Sequence, residues 1–296
     1  MAFKMSAPKY SICMCNYNMA DTLERSLSSI LNQIDDRFEV ILVDDGSSDN
    51  SIGVVHTLMG EYPLLRLVEL ERDPGRKLGL TRNLSVQKAR GEYALLQLDC
   101  DDVYGPHIID FVEIFHQIER CLGRDFYLKG QKINMGKREF LLDHGPYRNL
   151  FRGEDRDMWA RLAAVDAYVK LDHEPFVTRL PKVSTLRYTR ALQHIWDQMK
   201  SDFRHGPSIG TYLQREMAKW PKRSPKSNLF RLLLTIPAYV AAKFMDPIEM
   251  PANMRVGKQF GRYRDKNRGT FSEWMKRCNR PPDYSMLSND ARRIFP

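Results

Sequence analysis

Three carboxylates stand within four residues at Asp99-Cys100-Asp101-Asp102. Side by side they repel one another unless a cation or hydrogen-bond donors compensate. Mg²⁺ or Mn²⁺ takes oxygen ligands and is commonly held by one or two carboxylates together with substrate phosphates. Taken alone, the cluster also admits a solvated acidic turn ahead of the next helix. A second group, Asp44-Asp45-Gly46-Ser47, couples a turn-forming glycine to carboxylates that can accept hydrogen bonds from a base or ribose, or cap a helix. A third, residues 76–83 (RKLGLTRN), carries Arg76, Lys77 and Arg82, cations able to neutralise a diphosphate or to line a solvated helix face. Glu154-Asp155 follows about fifty residues after the acid cluster. An acid at a helix start favours the dipole, and that is its plain reading.

The elements that would position these groups alternate. Tyr10–Cys15 reads as a short buried strand and residues 38–43 (FEVILV) as a central parallel strand, uniformly apolar. Residues 64–70 and 92–98 read as two further strands. Between them, 22–33 has apolar residues at 23, 27, 30 and 31, the spacing of a helix with one buried face, for which Asp21 is the expected cap. Helices are also expected over 51–59, 79–88, 107–121 and 153–164, the last with Met158, Leu162 and Val165 inward. Strand–helix alternation predicts a doubly wound, mostly parallel α/β sheet, in which ligands bind beyond the carboxyl ends of the strands. Residues 15–18, 44–47 and 99–102 all fall at such ends. Residues 123–150 read as short strands and a loop.

The chain has 296 residues, 43% apolar and 28% charged, globular proportions that exclude a wholly disordered or collagen-like chain. Its charge of +9 is uneven: residues 1–170 hold 22 basic and 26 acidic side chains, residues 171–296 hold 24 and 11. A basic back half suits phosphates, on nucleic acid or anionic lipid. Residues 219–231 carry five cations and no acid, directly before an apolar stretch that contains Arg231, Pro237 and Lys243. That stretch is shorter than the ~20 residues needed to span a bilayer. A helix there is expected to be short and broken at Pro237, lying in an anionic membrane interface or packed on the catalytic domain. No secretory pattern opens the chain. Five sparse cysteines suggest reduced thiols in the cytoplasm rather than a disulfide framework.

The order of these segments carries more than any one of them. Tyr17-Asn18, Val43 to Ser47, Gly79 to Asn83, Leu98 to Asp102 and Gly153 to Arg161 together resemble the family-two glycosyltransferases, over about residues 8–200. The resemblance implies a GT-A fold in a catalytic domain over 1–215, followed by a basic helical extension over 216–296. It implies that Tyr17 lies against a nucleobase with Cys15 beside it, a position where the family often has Thr or Pro. It further implies that Asp45 accepts from the base, that Arg76 or Arg82 approaches the diphosphate, and that Asp101 lies near the ribose. Asp102, with Asp99 or Asp101, would hold Mn²⁺ or Mg²⁺, and Asp155 would be the catalytic base.

The activity so implied is an inverting transfer from a nucleoside-diphosphate sugar, UDP-linked by preference, to a hydroxyl of a glycan or to a polyprenyl-phosphate type of acceptor. A metal-stabilised diphosphate leaves, and a base acts from the opposite side of the anomeric carbon. The enzyme would be cytoplasmic and peripheral on the inner face of the membrane through 219–245, and nucleic acid is not an expected partner. Two other readings stay open. A sugar nucleotidyltransferase would carry a Gly-rich loop after the first strand, where this chain has Cys15-Asn16-Tyr17-Asn18. A non-catalytic basic module would leave the carboxylate cluster without a purpose.

Overall fold

The computed structural model describes residues 7–150, 153–181, 187–249 and 257–296. The strands are β1 Tyr10–Asn16, β2 Phe38–Asp44, β3 Leu65–Glu69, β4 Tyr93–Leu96, β5 Asp102–Tyr104, β6 Tyr127–Lys129, β7 Asn134–Lys137, β8 Tyr168–Leu171, β9 Val177–Arg179 and β10 Arg268–Gly269. The helices are α1 Ala20–Leu31, α2 Ser51–Glu61, α3 Leu78–Lys88, α4 Ile108–Leu122, α5 Arg138–His144, α6 Glu154–Ala164, α7 Arg187–Arg204, α8 Ile209–Met217, α9 Pro225–Lys243, α10 Gly257–Lys266, α11 Phe271–Arg277 and α12 Ala291–Ile294.

Eight strands form one sheet in the order β10-β8-β6-β7-β4-β1-β2-β3, and β5 pairs with β9 in a small second sheet. In the main sheet only β7 runs against its neighbours; every other pairing is parallel. β2 is buried at every position because helices cover both faces of the sheet, which is why its sequence is apolar without alternation. Helix α1 lays Leu23, Leu27, Ile30 and Leu31 on the sheet, as its spacing predicts. Its first N–H is satisfied from outside: Ala20 donates to Asp49 Oδ2 at 3.0 Å, so Asp21 sits in the first turn and is not the cap. In α6, Met158 and Leu162 are fully buried, but Val165 lies just past the helix end and is exposed.

The region 216–296 is divided between two places. Helices α7, α8 and α9 build a small core of their own from Met199, Phe203, Tyr212, Ala238 and Ala242. Residues 268–296 return to the main sheet instead. β10 adds to β8, and Phe271, Trp274, Ile294 and Phe295 enter the principal core. Cys121 at the end of α4 and Cys278 after α11 are joined in a disulfide, Cα to Cα 5.7 Å, which corrects the expectation of five reduced thiols. Helix α9 runs unbroken through Pro237, contrary to the expected interruption. Among the described residues, no helix is long and apolar enough to cross a membrane.

Candidate active site

The parallel strands β1, β2 and β4 end side by side, and each hands its chain to one of the groups singled out by chemistry. After β2 the two aspartates separate by role. Asp44 is buried and accepts from Asn16 Nδ2 at 2.6 Å, Ser47 N at 2.7 Å and Ser47 Oγ at 2.6 Å, so it closes the turn. Asp45 points away from these and accepts from Arg76 Nε at 2.5 Å and Arg72 Nη1 at 2.9 Å. The Arg72 guanidinium also lies 4.5 Å from the centre of the half-exposed Tyr17 ring, a cation–π contact. Tyr17, Asp45, Arg72 and Arg76 thus form one polar shelf with an aromatic face.

Gly46 makes that shelf possible. Its φ is +73°, and a Cβ there would fall 2.6 Å from the backbone nitrogen of Arg72. Only glycine takes this conformation without strain and lets residue 72 approach so closely.

The second gathering is organised by Arg82 on α3. Its Nη1 donates to Glu154 Oε1 at 3.0 Å and to Asp155 Oδ1, and its Nη2 lies 3.6 Å from Asp99 Oδ1. Burial opposes its charge, but Asp155, Tyr147, Glu154 and Asp99 more than compensate and hold the guanidinium firmly protonated. The sequence places Arg76 and Arg82 in one motif. In the structure they serve different groups, Arg76 the Asp45 shelf and Arg82 the acid cluster. Asp155 heads α6 after Gly153, whose φ of +83° turns the chain into the helix, and it keeps 26% of its side chain exposed.

Asp99, Asp101 and Asp102 come together as expected, each with a carboxylate oxygen within 4.8 Å of the others. Desolvation raises the Asp99 carboxyl above its ordinary range; Arg82 opposes this, and Asp101 and Asp102 add to it. Two cations that sequence reading missed lie on the cluster. Arg179 Nη2 is 3.1 Å from Asp99 Oδ2 and 3.0 Å from Asp101 Oδ1, and its Nε is 3.2 Å from Asp102 Oδ1. Lys132 Nζ is 2.5 Å from the same Asp102 oxygen. Pairing of β5 with β9 sets Arg179 opposite Asp102, a long-range register that no local pattern announces.

Asp102 is fully buried, yet its Oδ2 has no hydrogen-bond partner among the described residues. A buried, unpartnered carboxylate oxygen beside two further carboxylates is a donor set that fits a hard divalent cation. Cys15 lies within this region with its thiol pushed up by burial, and its carbonyl accepts from Cys100 Sγ at 3.3 Å. Cys15 is therefore a neutral thiol at this site.

Residues 11–179 match the family described as glycosyl transferase family 2. An uncharacterised glycosyltransferase of Nostoc is 36% identical over 108 residues, which is 36% of this chain and 33% of that protein. The chondroitin synthase of Pasteurella multocida is 34% identical over 103 residues, 35% of this chain and 10% of that enzyme. The match thus spans a third or less of these relatives' lengths. Among solved structures, Staphylococcus aureus TarS residues 1–349 superpose with a TM-score of 0.51 at 16% identity, over 79% of this chain and 80% of that one. The same protein bound to UDP-GlcNAc also superposes with a TM-score of 0.51, at 17% identity over 64% of each chain. At that identity the likeness concerns the fold, which is GT-A.

Proposed function

The chain belongs to glycosyl transferase family 2, and from that premise we propose that it is an inverting glycosyltransferase using a nucleoside-diphosphate sugar. The observation that carries the reading is Arg82, which ties Asp155 and Glu154 to Asp99 and so holds a candidate base in fixed relation to the acid cluster. The Tyr17–Asp45–Arg72–Arg76 shelf would take the base and ribose, with uracil favoured. Asp101 would lie near the ribose, and Asp102 with Asp99 or Asp101 would hold Mn²⁺ or Mg²⁺. When bound, that ion neutralises the leaving diphosphate as a Lewis acid.

The remaining chemistry falls to the chain's own groups. The acceptor oxygen attacks the anomeric carbon from the side opposite the diphosphate, and its proton passes to the Asp155 carboxylate. One displacement inverts the configuration. Arg82 fixes one Asp155 oxygen, and the exposed part of the carboxylate remains reachable by a hydroxyl. For an anionic lipid-phosphate acceptor no base is needed, and Asp155 would orient it. In the same reading, residues 219–245 bring the enzyme to an anionic membrane surface on the cytoplasmic side, and residues 1–215 supply most of the catalytic unit.

A thermal-shift panel of UDP and GDP with and without Mn²⁺ tests the donor site, since a ligand that binds only the folded state raises its stability. Release of nucleoside diphosphate should collapse in Asp102→Asn and in Asp155→Asn, while both proteins melt cooperatively. Wild-type turnover in either variant would sink the assignment.

A further inference from the structure

Helix α9 is apolar on two faces. Ala238 and Ala242 lie in the small core shared with α7 and α8, Leu234 and Tyr239 pack against it, and Asn228 and Thr235 are buried as well. Outward, at positions 229, 233, 236, 240 and 244, stand Leu229, Leu233, Ile236, Val240 and Phe244, a single stripe at helical spacing. Leu233 is 63% exposed, Ile236 65% and Phe244 88%. An ordinary surface helix pairs one apolar face with a polar one towards water. A continuous apolar stripe over a helix roughly 28 Å long is far more than the scattered exposed residues of a soluble surface.

The neighbouring charges indicate how that stripe is used. No acidic residue occurs from 217 to 245. Of the cations in that segment, Lys219, Arg223 and Arg231 converge on buried Glu216, at 2.9, 2.5 and 3.3 Å. Burial resists the Glu216 charge, but hydrogen bonds from Arg223 and Lys219 outweigh it and hold its carboxyl below the usual range. These three cations are already occupied within the protein. Lys226 and Lys243 are exposed, one near each end of α9.

We propose that α9 lies flat in the headgroup boundary of an anionic bilayer and is held there by insertion of its Leu229–Phe244 stripe, with charge attraction secondary. This rests on the reading of the chain as a glycosyltransferase that meets a membrane, and it names the face and the force. A lipid surface suits the stripe better than a protein partner because its five side chains offer no hydrogen-bonding group, whereas protein interfaces pair polar atoms as well as apolar ones. The exposed lysines at the two ends complement anionic headgroups, as in other interfacial helices. The basic character of 219–231 alone suggests salt-sensitive attachment; the Glu216 cluster reverses that expectation.

The test is cosedimentation of the full chain with phosphatidylcholine vesicles containing about one-third phosphatidylglycerol. Wild-type protein should sediment at low salt and remain bound in about 0.5 M NaCl, where surface charges are screened. Leu233→Glu/Ile236→Glu should lose binding about tenfold or more. Lys226→Gln/Lys243→Gln should keep its salt-resistant fraction. Both sites are solvent-exposed, so melting temperatures and the Mn²⁺–UDP shift should match wild type and show that the variants fold. Release of wild type by salt, or undiminished binding of the Glu variant, would overturn the proposal. So would dimers in sedimentation velocity that the Glu variant dissolves while wild type ignores vesicles, since a second copy would then cover the stripe. If wild type binds vesicles but neither UDP nor GDP with Mn²⁺, the glycosyltransferase reading fails and this one stands.

Discussion

Arg179 faces Asp102 directly across the β5–β9 pair, with its Nε 3.2 Å from Asp102 Oδ1. The same guanidinium reaches Asp99 and Asp101, so one side chain spans the three carboxylates proposed to hold the metal. A divalent ion at those oxygens meets a cation already in place. Arg179→Gln should therefore bind Mn²⁺ alone more tightly than wild type, by roughly fivefold or about 1 kcal/mol, since the Arg179 side chain is itself half-exposed. Isothermal titration without nucleotide checks this. Weaker Mn²⁺ binding in a folded variant would mean that Arg179 positions the acids for the ion instead of competing with it.

Arg82 is a different case because the cation itself is enclosed, with 12% of its side chain exposed against 55% for Arg179. Glu154 is buried, and removing Arg82 breaks its ion pair with an enclosed carboxylate. Arg82→Ala should lower unfolding free energy by about 3 kcal/mol or more, measured in urea. Arg82→Lys keeps the charge but lacks the planar fork that reaches Glu154, Asp155 and Asp99 together. It should recover much of the stability while nucleoside diphosphate release stays at least about tenfold down. Full activity in the lysine variant would show that the charge alone suffices.

Two glycines separate conformational need from mere presence. Gly46→Ala meets both a positive φ and the Arg72 backbone, and should cost about 2 kcal/mol or more along with UDP affinity. Gly60 lies in α2 with nothing within 4 Å of its would-be Cβ, so Gly60→Ala should stabilise by about 0.5–1 kcal/mol. Thermal melts of the pair, with and without UDP, decide the matter.

His173 predicts an acid limit to stability. It is buried; its Nε2 is 2.8 Å from the Gln131 backbone N–H, and its Nδ1 is 2.8 Å from the Glu174 carbonyl. Nε2 must accept the first bond and Nδ1 donate the second, which is the neutral ring. Desolvation lowers its pKa to about 4. A folded value below the unfolded one, near 6.5, means the contribution is complete above about pH 6.5 and is lost as pH falls towards 4, about 3 kcal/mol in all. Urea titrations between pH 7 and pH 4 should show that slope, and His173→Gln should flatten it.

Much of this architecture is legible in the residues because local patterns report it. The apolar run of β2, the helical spacing of α1 and the turn chemistry at Gly46 each need only a few neighbours. Asp99, Asp101 and Asp102 are legible as a group for a similar reason, since crowded acids at a strand end are conspicuous, whereas Asp155 stands out only through the order of the segments around it. Arg179, Lys132 and Arg72 are not, because what makes them relevant is a register or contact with residues 27 to 80 positions away. Asp44 and Asp45 look alike in sequence and differ only in the hydrogen bonds available on either side of the turn. The misplacement of Val165 has a simple cause, since the helix stops one residue before it and the periodicity no longer applies.

The closing stretch 268–296 has a temporal meaning as well as a spatial one. Phe295, in the penultimate position, is fully enclosed, and the Pro296 carbonyl receives the Ser272 N–H at 3.2 Å. The strands β1 to β4 can pair from contacts closer in sequence, but the outer edge of the sheet waits for β10, which docks on β8 from far along the chain. Until residues 268–296 dock, α4 lacks the cover that α11 supplies. Closure of the principal core therefore depends on contacts that are remote in sequence, which slows its completion relative to the strands around β1.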